Sequence, residues 1–182
     1  MTSVAGAPGV RPHARSSGRI GPNVILQTVA VIRERFGDAA AAGVLADTPW
    51  RLDRLPTGMV VEADVRSMVH ATLRRFGDDA AHQVMDAAGV GTAHYLLANR
   101  IPKIAQVVMK LAPASVALRV LLTSIQRNSW TFAGNARFVV TYGTPTVVEF
   151  HDCAMCRGLH SSGTECQFYA ATFRQLLTSL VL

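Results

Sequence analysis

The sequence has little charge. Of its 182 residues only 16% are Asp, Glu, Lys or Arg, whereas 49% are hydrophobic, and the formal net charge is +6. A chain of this length and composition can bury one good core, so we predict one domain with a short tail. The basic residues are spaced along the chain and do not form the dense run of a nucleic-acid-binding arm, so we predict no nucleic-acid partner.

Cysteine is also scarce. The chain has three cysteines, and this odd number argues against a disulfide framework and favours a reducing compartment such as the cytoplasm. Near the N-terminus, Arg11, Arg15 and Arg19 are not followed by an apolar run, which argues against a secretory signal. Residues 1–22 are rich in Gly, Pro, Ser and Ala, and we predict that they form a disordered leader.

The sequence lacks a long apolar run without charge. Its most apolar segment, residues 104–125, is interrupted by Lys110, Pro113 and Arg119, so we predict no transmembrane segment. The two short helices expected on either side of Pro113 could lie on a bilayer surface, which keeps peripheral membrane contact as an option.

Several motifs of nucleotide-binding and hydrolase sites are absent. There is no Gly-x-Gly-x-x-Gly after a predicted strand, no phosphate-binding loop ending in Lys-Ser or Lys-Thr, and no nucleophile elbow. Gly89 and Gly91 follow a predicted helix, so they more naturally end that helix. The sequence therefore shows no site for a nicotinamide or flavin cofactor, and the balance is against an enzyme.

A short motif occurs twice in the first half. Residues 35–38 and 75–78 both read RFGD, and each follows a helical pattern of apolar residues. Gly37 is placed to stop a helix, and Asp38 to begin the next. We interpret the repeat as an internal duplication of a helix-stop-helix unit. Residues 23–77 form a predicted helical segment, which packs on the core or forms the surface of a homodimer.

The second half changes from helical to alternating patterns. We predict helices over residues 78–89, 92–99, 101–111 and 114–126, with a break at Gly89 and Gly91. Residues 129–133, 137–142 and 146–151 predict three strands of an antiparallel sheet, and residues 165–180 a closing helix. The predicted class is α+β, with a helical N-terminal half and then a sheet of three to four strands with flanking helices.

All three cysteines lie between the last predicted strand and the closing helix. Cys153 and Cys156 are three positions apart, and Cys166 follows near the start of the helix. Such spacing suits zinc held by thiolates, although a closed tetrahedral site needs a fourth ligand. The local candidates for that ligand are His151, Asp152, His160 and Glu165. The alternative interpretation is that the cysteines are small buried hydrophobic residues.

Three blocks of sequence resemble a known family. They are residues 156–158 (CRG) with 166–173 (CQFYAATF), residues 95–103 (YLLANRIPK) and residues 129–134 (SWTFAG). Together they resemble the 4-vinyl reductase domain, over residues 78–182. The resemblance implies that this part is a ligand-binding domain, related in fold to subunits of the TRAPP vesicle-tethering complex, with an apolar cavity. In sensor relatives of the family, cysteines at what look like the positions of Cys156 and Cys166 bind zinc.

The resemblance also implies a function in photosynthesis. Family members suggest binding of a tetrapyrrole, a Mg-porphyrin or protochlorophyllide, and its delivery in bacteriochlorophyll biosynthesis, beside magnesium chelatase and Mg-protoporphyrin methyltransferase. The alternative is a divinyl protochlorophyllide 8-vinyl reductase that uses an external electron donor. A third option is an interaction module whose cavity binds lipid or nothing. The expected location is cytoplasmic, or peripheral to the photosynthetic membrane.

A tetrapyrrole ligand would need several kinds of side chain. The residues that we predict to bind it are His94, Tyr95, Arg100, Lys103, Trp130 and Phe132. His94 is the preferred axial ligand and adjoins Tyr95, whereas Arg100 and Lys103 could pair with propionate carboxylates. Trp130 and Phe132 could stack on a flat ring. Solvated helix faces and core packing are the alternative explanations of these residues.

Overall fold

A computed structural model of the chain describes residues 18–153, 155–157 and 164–182. Its elements in chain order are β1 (Arg19–Ile20), α1 (Asn23–Phe36), α2 (Asp38–Leu45), β2 (Val60–Val61), α3 (Glu62–Asn99), α4 (Lys103–Leu111), α5 (Ala114–Arg127), a 3-10 turn (Ser129–Thr131), β3 (Arg137–Thr141), β4 (Val147–His151) and α6 (Thr164–Leu180). Helices with two small antiparallel sheets confirm the predicted α+β class.

Each described sheet has two strands. β1 pairs with β2, with Arg19 opposite Val61, and β3 pairs with β4, with Arg137 opposite His151. The end of the predicted leader therefore belongs to the fold, because residues 19–20 form β1. Residues 1–17 lie outside the described part of the chain.

The prediction of a first strand at residues 129–133 is wrong. Residues 129–131 form a 3-10 turn, in which the Thr131 amide donates to the Asn128 carbonyl at 3.0 Å and the Phe132 amide donates to the Ser129 carbonyl at 3.0 Å. The Ala133 amide donates to the same Ser129 carbonyl at 2.7 Å. Because these backbone groups bond to near neighbours in sequence, the segment does not pair with β3, despite its strand-like residues.

The duplicated motif produces the same backbone twice. Gly37 has φ 82° and ψ 172°, and Gly77 has φ 75° and ψ 172°. A positive φ of this kind is readily adopted only by glycine. Gly37 separates α1 from α2 as predicted, and Gly77 interrupts the helical geometry within α3. The rings of Phe36 and Phe76 stack with centroids 4.5 Å apart, so the two copies of the motif are in contact.

The predicted break at Gly89 and Gly91 is wrong, because α3 continues through both. Here the glycines allow close packing. A Cβ on Gly89 would lie 2.3 Å from the Phe168 carbonyl oxygen of α6, and one on Gly91 would lie 2.6 Å from the Gln27 side-chain oxygen of α1. The neighbour of Gly89 is backbone and leaves no room for a side chain, whereas the Gln27 side chain next to Gly91 is flexible and could move.

Two apolar clusters form the core. The first joins α1, α2, the first part of α3 and the start of α6, and its members include Ile25, Val29, Ile32, Val44, Met68, Met85 and Phe168. The second joins the end of α3 to α4, α5 and the end of α6, and its members include Ala93, Met109, Leu121, Leu176 and Leu180. Helix α6 thus contributes to both clusters. Among the described residues, no helix has both the length and the apolarity to cross a membrane.

The contact at Gly89 can be tested by adding one methyl group. We expect Gly89→Ala to lower the free energy of unfolding by about 1–3 kcal/mol, because the methyl must displace the backbone of α6. The control is Gly58→Ala, since a Cβ there would meet nothing within 4 Å. Urea denaturation measures both variants. Equal stability of Gly89→Ala and the control would contradict the close approach of α6 to α3.

Candidate functional site

The described residues that directly follow β4 form a tight turn that carries two of the cysteines. β4 ends at His151, and Asp152 follows with φ 59°, a conformation that Asp tolerates better than most residues. The Cys156 amide donates to the Cys153 carbonyl at 3.2 Å. Met155 is buried and Cys153 packs against the first core cluster. We call residues 152–157, without residue 154, the cysteine turn.

The third cysteine reaches this turn from α6. The sulfur atoms of Cys156 and Cys166 are 3.5 Å apart, and none of the three cysteines forms a disulfide. Two thiolates on one tetrahedral zinc ion have sulfur atoms about 3.8 Å apart, given a zinc–sulfur distance of about 2.3 Å. The observed separation is therefore close to that of a shared metal ion and far from the roughly 2.05 Å of a disulfide.

The surroundings of Cys156 favour its protonated thiol. Hydrogen bonds with Cys153 and Cys166, followed by partial burial, raise the pKa of Cys156 above its ordinary value. Burial, and next the nearby sulfur atoms of Cys153 and Cys156, also raise the pKa of Tyr169. Cys156 therefore favours its protonated form, and a metal ion that binds its sulfur would have to displace that proton.

The other predicted metal ligands that the structure describes are not assembled around the sulfur atoms. His151 and Asp152 are exposed at the end of β4. His160 and the side chain of Glu165 lie outside the described residues. Within the described part of the chain, no set of three His, Cys, Asp or Glu side chains has the arrangement of a metal site. Zinc binding by Cys153, Cys156 and Cys166 stays a prediction.

An aromatic cluster lies next to the cysteine turn. The ring of Phe132 has its centroid 5.5 Å from that of Phe138, 6.0 Å from Phe150 and Tyr169, and 6.1 Å from Phe173. The Tyr169 hydroxyl donates to the Phe132 carbonyl oxygen at 2.7 Å. These contacts join the 3-10 turn, the sheet of β3 and β4, and α6 into one unit.

An open apolar groove runs along the other side of Phe173, with a volume of about 500 Å³. It lies between α5, β4 and α6. The residues that line it are mostly apolar, and they are Leu118, Leu122, Thr146, Val148, Ala170, Phe173, Arg174, Leu177, Thr178 and Leu182. One stripe along α6 consists of residues spaced four positions apart, which are Cys166, Ala170, Arg174 and Thr178. The last three of them line the groove.

The only charged side chain among these lining residues is Arg174. Its guanidinium donates to the Asp86 carboxylate of α3 at 2.7 Å, and the Gln167 amide donates to the same oxygen. Partial burial acts to raise the pKa of Asp86, but the hydrogen bonds from Arg174 and Gln167 and the Arg174 charge outweigh it, so the pKa lies below its usual value. This ion pair fixes the edge of the groove to α3.

The six residues predicted to bind a ligand lie outside the groove lining and in three places. His94 and Tyr95 lie on the last turns of α3, with His94 exposed. Arg100 directly follows α3 and Lys103 is the first residue of α4, and both are exposed. Trp130, in the 3-10 turn, is 63% exposed. Phe132 belongs to the aromatic cluster, which favours the core-packing explanation for this residue.

The sequence interpretation missed Asp86, Ala170 and Arg174 as site residues. Asp86 and Arg174 are separated by 88 positions, and no local pattern links them. One signal was available, because Cys166, Ala170, Arg174 and Thr178 place small or polar residues at four-residue intervals along α6. Such a stripe marks a helix face that is not fully covered by the core.

These features define a small α+β protein in which one closing helix contributes both to a cysteine cluster and to an apolar groove. Two bacterial proteins are similar to the chain over most of its length. A bacteriochlorophyll synthase 23 kDa chain of Cereibacter sphaeroides is 39% identical over 163 residues, which cover 90% of this chain and 79% of that protein. A protein of the same name from Rhodobacter capsulatus is 33% identical over 163 residues, which cover 90% of this chain and 76% of that protein.

The chain belongs to the family of bacteriochlorophyll synthase 23 kDa chains. The predicted kinship with a protein of bacteriochlorophyll biosynthesis is thereby confirmed. No family model matches the chain, and no solved structure matches it.

The ion pair at the groove edge predicts a specific dependence of stability on pH. The pKa of Asp86 is depressed in the folded state. The ionised carboxylate therefore contributes to the free energy of unfolding above the ordinary carboxyl pKa of about 4, and this contribution is lost as the pH falls through the folded-state pKa. We expect Asp86→Asn to lower the free energy of unfolding by about 1 kcal/mol at neutral pH, and by less as the pH falls below about 4.

Denaturation of wild type and variant across this pH range measures the effect. Asp53→Asn is the control, because Asp53 is exposed and its oxygen lies 3.7 Å from Arg51. A loss of stability in Asp86→Asn that is the same at every pH would contradict the assigned ion pair.

Proposed function

We propose that the chain binds a Mg-porphyrin or protochlorophyllide in the groove and delivers it between enzymes of bacteriochlorophyll biosynthesis. Membership of the family of bacteriochlorophyll synthase 23 kDa chains supports a role in this pathway. The observation that carries the binding proposal is the groove itself. Its walls are almost entirely apolar, and its single charge is the cation that a propionate carboxylate would select.

The groove has a suitable size and lining. Small-molecule sites commonly have volumes of roughly 300–1,000 Å³ and are lined by apolar groups with few polar ones, and the volume here is about 500 Å³. Each 100 Å² of apolar ring surface removed from water would contribute about 2.5 kcal/mol. Because the groove is open on one side, the ligand could leave it without unfolding of the walls, as a carrier requires.

Arg174 would recognise the carboxylate of the ligand. Its side chain is 57% exposed although it also contacts Asp86, so some of its donors face solvent. A guanidinium has five N–H donors and can serve two carboxylates together. The lining residues include no histidine, so the proposal depends on apolar contact and charge and assigns no ligand to the magnesium ion.

Two further elements of the proposal derive from the resemblance to the 4-vinyl reductase domain family. The partner enzymes would be magnesium chelatase and Mg-protoporphyrin methyltransferase. The alternative function is reduction of the 8-vinyl group of divinyl protochlorophyllide with electrons from a separate donor. The experiment that follows distinguishes the two functions.

Titration of the purified protein with Mg-protoporphyrin monomethyl ester or divinyl protochlorophyllide, followed through the Soret band, tests the carrier. We expect saturable binding in the micromolar range, about −8 kcal/mol. Ala170→Trp should weaken it at least about tenfold, or about 1.4 kcal/mol, because the indole fills the groove. Ala170 is exposed, so the core is untouched. The matched control is Ala63→Trp, at an exposed position near the start of α3.

The outcomes separate the competing sites and functions. Equal binding by Ala170→Trp and the control would reject the groove. Weaker binding by Arg100→Ala with normal binding by Ala170→Trp would return the site to the predicted residues between His94 and Lys103. Loss of the 8-vinyl absorbance when a reductant is added would favour the reductase.

We also propose that Cys153, Cys156 and Cys166 bind zinc. The separation of 3.5 Å between two of the sulfur atoms supports it, and a ligand for the fourth position would come from His151, Asp152, His160 or Glu165. The metal ion would join the cysteine turn to the start of α6. Because Cys166 lies on the same stripe of α6 as the groove residues, zinc would also stabilise the wall of the groove.

Replacement of single sulfur atoms tests the zinc site. We expect Cys156→Ser and Cys166→Ser each to remove bound zinc, measured by elemental analysis, and to lower the melting temperature. All three cysteines belong to the proposed site, so the control is wild-type protein after chelation. Zinc affinity should rise with pH, because the thiol with a raised pKa must lose its proton. Unchanged metal content in both variants would reject the site.

A further inference from the structure

Helices α4 and α5 expose an apolar surface that the core leaves uncovered. On α4, Ile104, Val107, Val108 and Leu111 are 80%, 56%, 60% and 82% exposed. Their spacing of three and four residues places them on one face of the helix. Met109, on the opposite face, is buried in the second core cluster. On α5, Val116 and Val120 are each 49% exposed. We call these six residues and the basic residues around them the α4–α5 surface.

The charge around this surface has one sign. Between Asp86 and Glu149 the sequence contains no acidic residue. The same stretch contains six basic residues, all exposed, which are Arg100, Lys103, Lys110, Arg119, Arg127 and Arg137. Lys103 and Lys110 lie on α4 itself, next to the first and last exposed apolar residues. The surface is therefore apolar along its centre and cationic at its edges.

We propose that the α4–α5 surface docks on an anionic lipid bilayer. A short amphipathic helix with aliphatic side chains on one face and lysines beside them is the arrangement that lies in the plane of a membrane interface. The aliphatic groups enter the boundary between headgroups and acyl chains. The lysine stems extend along the apolar surface, so that their ammonium groups reach the lipid phosphates.

The charge pattern disfavours the other occupants of such a surface. In a symmetric dimer each residue of the surface would face the same surface of the second copy. With six cations and no acidic residue in this stretch, such a contact would bring like charges together. A bilayer with anionic headgroups supplies the opposite charge over the whole surface.

Vesicle flotation with the full chain tests the proposal. The probes are vesicles of phosphatidylcholine alone and vesicles with about 30 mol% phosphatidylglycerol. We expect at least about tenfold tighter binding to the anionic vesicles, weakened by added salt. The double variant Ile104→Ser with Leu111→Ser should reduce binding at least about tenfold, because it removes two apolar side chains from the proposed contact. These side chains are 80% and 82% exposed, so their loss spares the core.

A charge-matched pair of variants serves as the control. Lys103→Gln with Lys110→Gln should reduce the preference for anionic vesicles. Arg35→Gln with Arg54→Gln removes the same charge from exposed positions in the first half of the chain and should leave binding unchanged. Equal losses in both pairs would overturn the proposal, since only net charge would then matter.

Two further results would also overturn it. One is normal vesicle binding by the Ile104 and Leu111 variant. The other is a wild-type dimer in light scattering that becomes monomeric in this variant, since the surface would then be a contact between copies. A monomer that floats with anionic vesicles and loses this property in the variant would support it.

Discussion

The close approach of α6 to α3 at Gly89 is the contact on which the rest of the structure depends. The Thr172 hydroxyl donates to the Gly89 carbonyl oxygen at 3.0 Å, and Asp86, one turn earlier on α3, holds Arg174. Helix α6 contributes to both core clusters, carries Cys166 at its start and forms one wall of the groove. A single backbone contact thus positions both candidate sites, and any shift of α6 would move them together.

Local patterns predicted the elements whose hydrogen bonds are local or whose partners follow closely. The stop at Gly37, the strands ending at Thr141 and His151, and the closing helix all have their signals within a few residues. The error at Gly89 has a clear physical cause. In a sequence, a glycine can indicate either a break in a helix or the close approach of another segment. At Gly89 the close approach is that of α6, which follows about 80 residues later and leaves no local signal.

The candidate site was only partly accessible from sequence. The cysteine spacing indicated the region, because two of its sulfur atoms lie in one turn. The groove was hidden, because its walls come from three separate elements that the fold brings together, and because Ala170 and Thr178 are unremarkable in any sequence. The aromatic residues showed the opposite problem. Phe132 suggested ring stacking with a ligand, yet its neighbours are Phe138, Phe150 and Tyr169.

The paired Phe-Gly-Asp turns limit how the first half of the chain can change in length. Phe36 and Phe76 stack directly before the glycines at which α1 and the first part of α3 end. Since one residue turns a helix by about 100°, inserting or deleting a residue in α1 would move its phenylalanine away from the partner ring. Natural length variation is therefore expected in the connection between α2 and β2, and not within the two helices that end at these turns.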